Sequence, residues 1–335
     1  MADAATLDAS SDRRAGANPA DAPNPLGARV KPASRLAETW RRLRRDRFAL
    51  FGGALVLLAV ILALAAPVIS PYDPLKQNSK IRLYPIGTTN HQILDKDGKP
   101  AVDSKGNPIM SGTHWLGTDG NGRDILSRLI YGSRTALLVA TVPVLVAAVA
   151  GLLMGLAAGF FGGWVDAILM RIADILFAFP AILLAIAIVA ALGPRLVNAM
   201  LALAIVFIPA FARLVRASVI TLRHREFVTA AQASGASNVR LIFRHILTNA
   251  LPTVLVFATL QTGQMIIFGS ALSFLGLGVQ PPTPDWGTMA NDGRNSMLIA
   301  PWVTTLPGIA IFLVSVGFNL LGDGLRDALD PTLKV

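Results

Sequence analysis

The sequence predicts an all-α polytopic membrane protein with six transmembrane helices, and three observations carry that prediction. The 335 residues are 53% hydrophobic and 15% charged, with a mean hydropathy of +0.56, whereas a water-soluble domain carries about a quarter charged residues. Six apolar stretches are long enough, at roughly 20 residues each, to cross a hydrocarbon core about 30 Å thick. The basic excess lies before and between those stretches, where it reads as topology and lipid headgroup contact rather than nucleic-acid binding.

Taken in order, residues 1–34 are rich in Ala, Asp, Pro and Asn without periodicity, and are expected to form a disordered cytoplasmic tail. They lack the apolar core of a signal peptide. Residues 35–47 place Leu36, Trp40 and Leu43 at i, i+4 and i+7 among arginines, which predicts an amphipathic helix in the cytoplasmic headgroup region. Phe48–Ile69 (48–69) carries no charge and is the first span. Residues 70–134 then form an outer, periplasmic or extracellular, domain. Within it, Asp97-Gly98 and Gly106-Asn107 signal a small hairpin. After the turn Gly120-Asn121-Gly122, Asp124 is placed to cap a helix bearing Ile125, Leu126, Leu129 and Ile130. Asp119, Asn121 and Asp124 lack the glycine and closing glutamate of a calcium loop, so no metal site is expected there.

Residues 135–322 are expected to hold the five remaining spans. Thr135–Phe161 carries Gly151, Gly155 and Gly159, a small-xxx-small spacing that admits a close neighbour. Ile172–Leu192 carries Asp174 and an internal Pro180. Leu196–Leu214 contains Pro209, which predicts a kink. Leu251–Leu275 carries Gln261 and Gln264, and Pro301–Leu321 carries Asn319. These three amides fit either a polar translocation path or hydrogen-bonded helix seams. Residues 323–335 form a C-terminal tail. Residues 213–245 hold six arginines against one glutamate, which places that connection, and with six spans both termini, in the cytoplasm. The basic residues of the outer domain do not oppose this, because long loops translocate largely regardless of charge.

Several kinds of chemistry are excluded. No cysteine is present, which removes disulfides and thiol catalysis. No P-loop, zinc-protease, nucleophile-elbow or dinucleotide motif occurs, so the chain is expected to be no enzyme and to bind no cofactor. The four histidines, His91, His114, His224 and His245, fall in pairs on opposite sides of the membrane.

Between the fourth and fifth spans lies a polar connection, residues 222–248. Arg225–Ser234 contains helix formers without Gly or Pro; Gly235 interrupts, and Ser237 is placed to cap a second helix. That helix carries Val239, Ile242, Phe243, Ile246 and Leu247 on one predicted face, with Arg240 and Arg244 on another. In the first helix Ala230, Ala231, Ala233 and Ser234 offer little bulk, so a partner's groove has close access to it. From the residues alone, a docking helix and a plain connector stand about even.

The stretch EFVTAAQASGAS, followed by NVRLIFRHILTNALP, resembles the EAA loop of ABC importer permeases. Thr229-Ala230-Ala231 takes the E-A-A position and Gly235 falls at the required spacing. Thr229 stands where the pattern has glutamate and Thr248 where it has proline; Glu226, one turn earlier, matches the E-[FY]-V opening of the peptide-transporter branch. HWLGTDGNGRDILSRLIYGSRT (114–135), with Gly117, Thr118, Asp119, Gly122, Arg123 and Asp124, SFLGLGVQPPTPDWGTM (273–289) and GDGLRDALDP (322–331) are similar to the C-type subunits of dipeptide/oligopeptide/nickel permeases. The resemblance covers about residues 35 to 331. It implies that Glu226, Thr229, Ala230, Ala231, Gly235, Arg240 and Arg244 belong to a coupling helix docked on a cytoplasmic ATPase. It further implies a second permease subunit, two ATPase subunits that bind ATP and Mg, and an outer substrate-binding protein. Peptides are the expected cargo, with nickel chelates and glutathione as rivals; an ion-coupled secondary transporter is the alternative class.

Overall fold

The computed structural model describes residues 40–93, 99–102 and 106–329. The tail 1–34, Leu36, the turn Asp97-Gly98 and residues 330–335 lie outside the described residues. The helices are α1 (Arg47–Ile69), α2 (Ile125–Phe161), α3 (Gly163–Phe177), α4 (Ala181–Leu192), α5 (Leu196–Arg223), α6 (Glu226–Ala233), α7 (Asn238–Phe274), α8 (Trp286–Gly293) and α9 (Trp302–Leu329). Among the described residues β structure is limited to isolated bridges. Five helices, α1, α2, α5, α7 and α9, are each long and apolar enough to cross a membrane; the α3–α4 pair makes a sixth crossing only if counted together.

The first span agrees with expectation. Asp46 caps α1, accepting from the backbone nitrogens of Phe48 at 2.9 Å and Ala49 at 3.3 Å. That cap also ends the preceding amphipathic segment: a helical turn at 40–43 stops at Arg44, so residues 35–47 are not one helix running up to the span. Glycines let α1 and α9 approach closely. A Cβ on Gly52 would lie 2.7 Å from the Gly317 carbonyl and 2.8 Å from the Leu321 nitrogen.

The helix that carries the second span starts ten residues before the expected boundary. Asp124 caps a helix that continues unbroken from Ile125 to Phe161, so the capped outer helix and the apolar span are one element. The boundary at 134 therefore falls inside α2. Nothing in Ser133-Arg134-Thr135 stops a helix, since a charge ends an apolar run without ending helical hydrogen bonding. The glycine stripe of α2 packs directly on α5. Cβ atoms at Gly155 and Gly159 would meet Val215 Cβ at 2.6 Å and Val219 Cβ at 2.7 Å. Phe211, Val215 and Val219 of α5 are fully buried in that seam.

The third span departs most from expectation. Pro180 does not kink one helix but separates two, α3 and α4, bent by 89° across residues 178–180. Proline lacks the amide hydrogen and clashes with the preceding turn, so a helix commonly ends before it. The expected helix boundary at Ile172 is also replaced, because α3 begins at Gly163.

In the outer segment an antiparallel bridge pairs Val102 with Pro108 on either side of Gly106-Asn107, as the expected hairpin requires, and the stretch at Ile93 joins the pair. Ile93 donates to the Ile109 carbonyl (2.9 Å), Ala101 to Ile93 (2.7 Å) and Ile109 to Ala101 (2.8 Å). Ile81, Ile93 and Ala101 form a small separate core beneath them.

Candidate functional site

The polar connection after α5 is built by two short devices. Only His224 and Arg225 separate α5 from α6, so α6 continues from the end of a span with almost no slack. α6 then ends in a Schellman motif. Gly235 N donates to Gln232 O at 3.0 Å and Ala236 N to Ala231 O at 3.1 Å, with Gly235 at φ +81°. That left-handed conformation is open to glycine and strained for other residues. Ser237 caps the next helix through Arg240 N at 3.4 Å.

Glu226, Thr229, Ala230, Gln232, Ala233 and Ser234 are exposed on α6. Val228 is fully buried and Ala231 half-buried against the helical core. The outward face therefore carries small and polar groups together with the Phe227 ring, 43% exposed, and Ala231 belongs to the inward one. The second helix differs from expectation. It is the start of α7, and its residues Leu241–Ile246 form a π-helical segment. The wider turn brings Leu241 and Ile246, five apart, to the buried side and leaves Val239 and Phe243 exposed. The face drawn at a 3.6-residue period is thus replaced by one at the π period. Arg240 and Arg244 remain exposed beside α6.

Arginines tie α5 to its neighbours just before α6. Arg216 makes a two-pronged pair with Asp166 of α3, Nε to Oδ1 and Nη2 to Oδ2 both at 2.5 Å. Arg213 reaches Asp174 of α3 at 2.6 Å and lies over the Phe177 ring at 4.1 Å. Arg223 donates to the Phe160 carbonyl at 2.8 Å, closing the last turn of α2. These pairs escape motif reading. Asp166 and Asp174 are the only acids between residues 135 and 225, and two acids beside two arginines near span ends is the signal that finds them.

The outer-domain motif folds into a closed polar knot. Asp119 accepts from Asn121 N (2.8 Å), Arg123 N (2.9 Å) and Arg123 Nε (2.6 Å). The other end of Arg123 reaches Asp292 of α8 at 3.0 Å. Asp124 receives Ser127 N at 2.7 Å and pairs with His114 Nδ1 at 2.8 Å. Thr118 Oγ1 donates to the Ile81 carbonyl and accepts from Tyr84 N. Gly117 and Gly122 lie where a Cβ would strike the carbonyls of Tyr84 and Asn78. These oxygens are turned on the protein's own donors, so the motif is a clamp joining the outer segment to α2 and α8. Asp285 caps α8 through Thr288 N at 3.0 Å. Burial pushes its carboxyl above the ordinary range, while hydrogen bonds from Thr288, Ser273 and Gly287 pull the other way.

The three amides do not converge. Gln264 is exposed and Gln261 half-buried on α7. Asn319 instead sits in the α7–α9 seam, where its Oδ1 would be 2.9 Å from a Cβ on Gly263, and Ser315 Oγ donates to the Gly263 carbonyl at 2.9 Å.

Comparison with known proteins supports the same organisation. Residues 151–335 match the model of binding-protein-dependent transport system inner membrane components. Residues 34–85 match the N-terminal TM domain of oligopeptide transport permease C. The chain is 44% identical over 297 residues to a glutathione transport system permease protein, GsiD, of Pectobacterium atrosepticum, covering 89% of this chain and 91% of that one. It is also 44% identical to a dipeptide transport system permease protein, DppC, of Alkalihalophilus pseudofirmus, covering 89% and 90%. An inward-facing structure of the MetNI methionine ABC transporter shares the fold, with a TM-score of 0.50 at 20% identity over 61% of this chain and 96% of that one.

Proposed function

The chain belongs to the family of binding-protein-dependent transport system inner membrane components, as a permease subunit of an ABC importer of the dipeptide/glutathione type, and from that premise we propose how it couples and what it carries. α6 is the handle by which a cytoplasmic ATPase moves the spans. The observation that carries this is the attachment of an exposed, small-residue helix, closed by Gly235, directly to the end of α5. ATP closes the ATPase pair, α6 is displaced, and α5 moves with it; the pathway then changes the side to which it opens. Coupling of this kind requires ATPase contacts that differ in free energy between the two states.

In this reading the transporter comprises a second permease, two ATPase subunits that bind ATP and Mg, and an outer binding protein. This chain binds no cofactor. It lies in a bacterial inner membrane with both termini cytoplasmic, which the arginines at 213–244 support. Short peptides are its cargo, and relatives named for dipeptide and for glutathione transport favour that class over nickel chelates.

The test of the handle is Ala230→Glu, at an exposed position, in reconstituted transporter. We expect normal insertion and basal ATP hydrolysis, with peptide uptake lowered about 5- to 150-fold, the range of a 1–3 kcal/mol coupling free energy. Unchanged uptake sinks the docking role. A charge at Ala231 is a poorer probe, since that side chain packs against the core. Mass spectrometry of the ligand carried by the cognate binding protein tests the cargo; a metal chelate there overturns the peptide reading.

A further inference from the structure

α3 joins two spans, yet its position does not follow theirs. It is tied to α5 at two points, Asp166–Arg216 and Asp174–Arg213. The aspartates are eight residues apart, about 12 Å along α3, while the arginines are three apart, about 4.5 Å along α5. Helices lying side by side would need matching intervals, so α3 runs across α5. The chain turns sharply into α3 through Gly162 and Gly163, at φ +66° and +51°, and out of it through the 89° bend to α4.

The depth of the crossing follows from α5. Counting from Leu196 at 1.5 Å per residue, Arg213 and Arg216 lie about 26 and 30 Å along the helix, where a hydrocarbon core of about 30 Å ends. The last turns of α5 and all of α6 then project beyond it. α4 is about 18 Å long, and because α3 is bent from it by 89°, α3 adds almost no length along the axis of α4 to the third crossing.

The surface of α3 has three faces. Asp166, Met170 and Ala173 turn toward the core. Arg171 and Asp174 lie on a charged side. The remaining face is apolar and uncovered: Trp164 is 84% exposed, Ile168 55%, Ile172 48% and Ile175 57%. These four recur at i, i+4, i+8 and i+11, a single stripe on a helix. A helix lying at a membrane boundary, with such a stripe, a tryptophan at one end and an arginine beside it, has the make-up of an interfacial helix.

We infer that α3 lies in the plane of the membrane at its cytoplasmic boundary and that its Trp164–Ile168–Ile172–Ile175 stripe is covered by lipid of the inner leaflet. Arg171 faces the headgroups, where a positive charge matches anionic lipid. The two ion pairs brace α5 against this lipid-held helix. The choice of leaflet rests on the orientation proposed above.

The native chain has no cysteine, so single labels report cleanly. Trp164→Cys, Ile168→Cys, Ile172→Cys and Ile175→Cys, each spin-labelled in the assembled transporter in liposomes containing anionic lipid, are read by accessibility to oxygen and to an aqueous nickel chelate. We expect oxygen to dominate at all four, with depths equal to within about 5 Å, the width of the helix backbone. A helix crossing the bilayer would instead spread Trp164 and Ile175 by about 16 Å. That gradient, or low access to both reagents from a covering subunit, overturns the inference. Arg171→Cys disturbs no buried packing and keeps the test open if a stripe variant fails to insert. On an in-plane helix its label is reached by the nickel chelate, and shielding from it overturns the inference equally. An error in orientation shows separately: Gln232→Cys on α6 would be modified by an impermeant maleimide from the outer side, whatever depth the stripe reports.

Discussion

At Gly122 a single added methyl group opposes closure of the outer knot. The residue sits at φ +70°, and a Cβ there would strike the Asn78 carbonyl. The left-handed conformation costs about 1–2 kcal/mol and overpacking about 1–3 kcal/mol, so Gly122→Ala should lower stability by about 2–5 kcal/mol. Thermal unfolding in detergent checks this, and a shift of under a degree would show that the knot tolerates the methyl. Asp285 offers a different test, because its burden is charge. Its folded carboxyl is raised above the ordinary 3.8, chiefly by burial. Above pH 3.8 the folded state therefore holds the proton more firmly than the unfolded one. The group's stabilising effect is complete below that pH and is lost as pH rises through the folded value. Asp285→Asn keeps an oxygen for Thr288 N and removes the titration. Its stability should decline less with rising pH than that of the native chain, and parallel pH profiles would refute the assignment.

Adjacent glycines of α1 separate helix packing from helix propensity. Gly52 meets α9 backbone, with the Gly317 carbonyl 2.7 Å from a built Cβ, while Gly53 would meet only Leu321 Cδ1 at 3.6 Å. Gly52→Ala should therefore lose about 1–3 kcal/mol through overpacking, whereas Gly53→Ala should be neutral or gain up to about 1 kcal/mol from helix propensity. Equal melting shifts for the two would mean that the α1–α9 seam is looser than described. Elements of this kind were readable early: the α2 glycine stripe faces α5 because small residues at four-residue spacing have no other use in a helix that close. The π-turn at Leu241–Ile246 was not readable, since its residues are ordinary helix formers and the wider turn appears only once Leu241 and Ile246 are both buried. The break at Pro180 was half readable. Proline marks the place, but no local pattern gives the 89° angle between α3 and α4.

For the whole molecule the question is how, under the proposed coupling, a push on α6 becomes a movement of the spans. The motifs pointed to the proposed handle, and apolar length located five of the spans. What joins them was legible on one side only: the two acids within residues 135–225 mark themselves, but their arginine partners forty or fifty residues away leave no local pattern. In the proposed lever, α5 transmits displacement only if it moves as one body with α2 and α3. The Gly151–Gly155–Gly159 seam joins α5 to α2, and Arg216–Asp166 joins it to α3. The pair is bidentate and partly exposed, so a coupling free energy near the low end of the range for contacting residues, about 1 kcal/mol, is expected. Arg216→Gln should leave basal ATP hydrolysis intact and lower peptide uptake per ATP about fivefold, the equivalent of about 1 kcal/mol. Asp166→Asn should do the same, and the double variant should be no worse than either single one, since both remove one link. Arg216→Lys should restore only part of the loss, because an ammonium cannot reproduce the two parallel hydrogen bonds. Uptake assayed in proteoliposomes with matched ATPase rates decides the matter. Additive losses in the double variant would mean that the two residues act separately, and that α5 is steered through α2 alone.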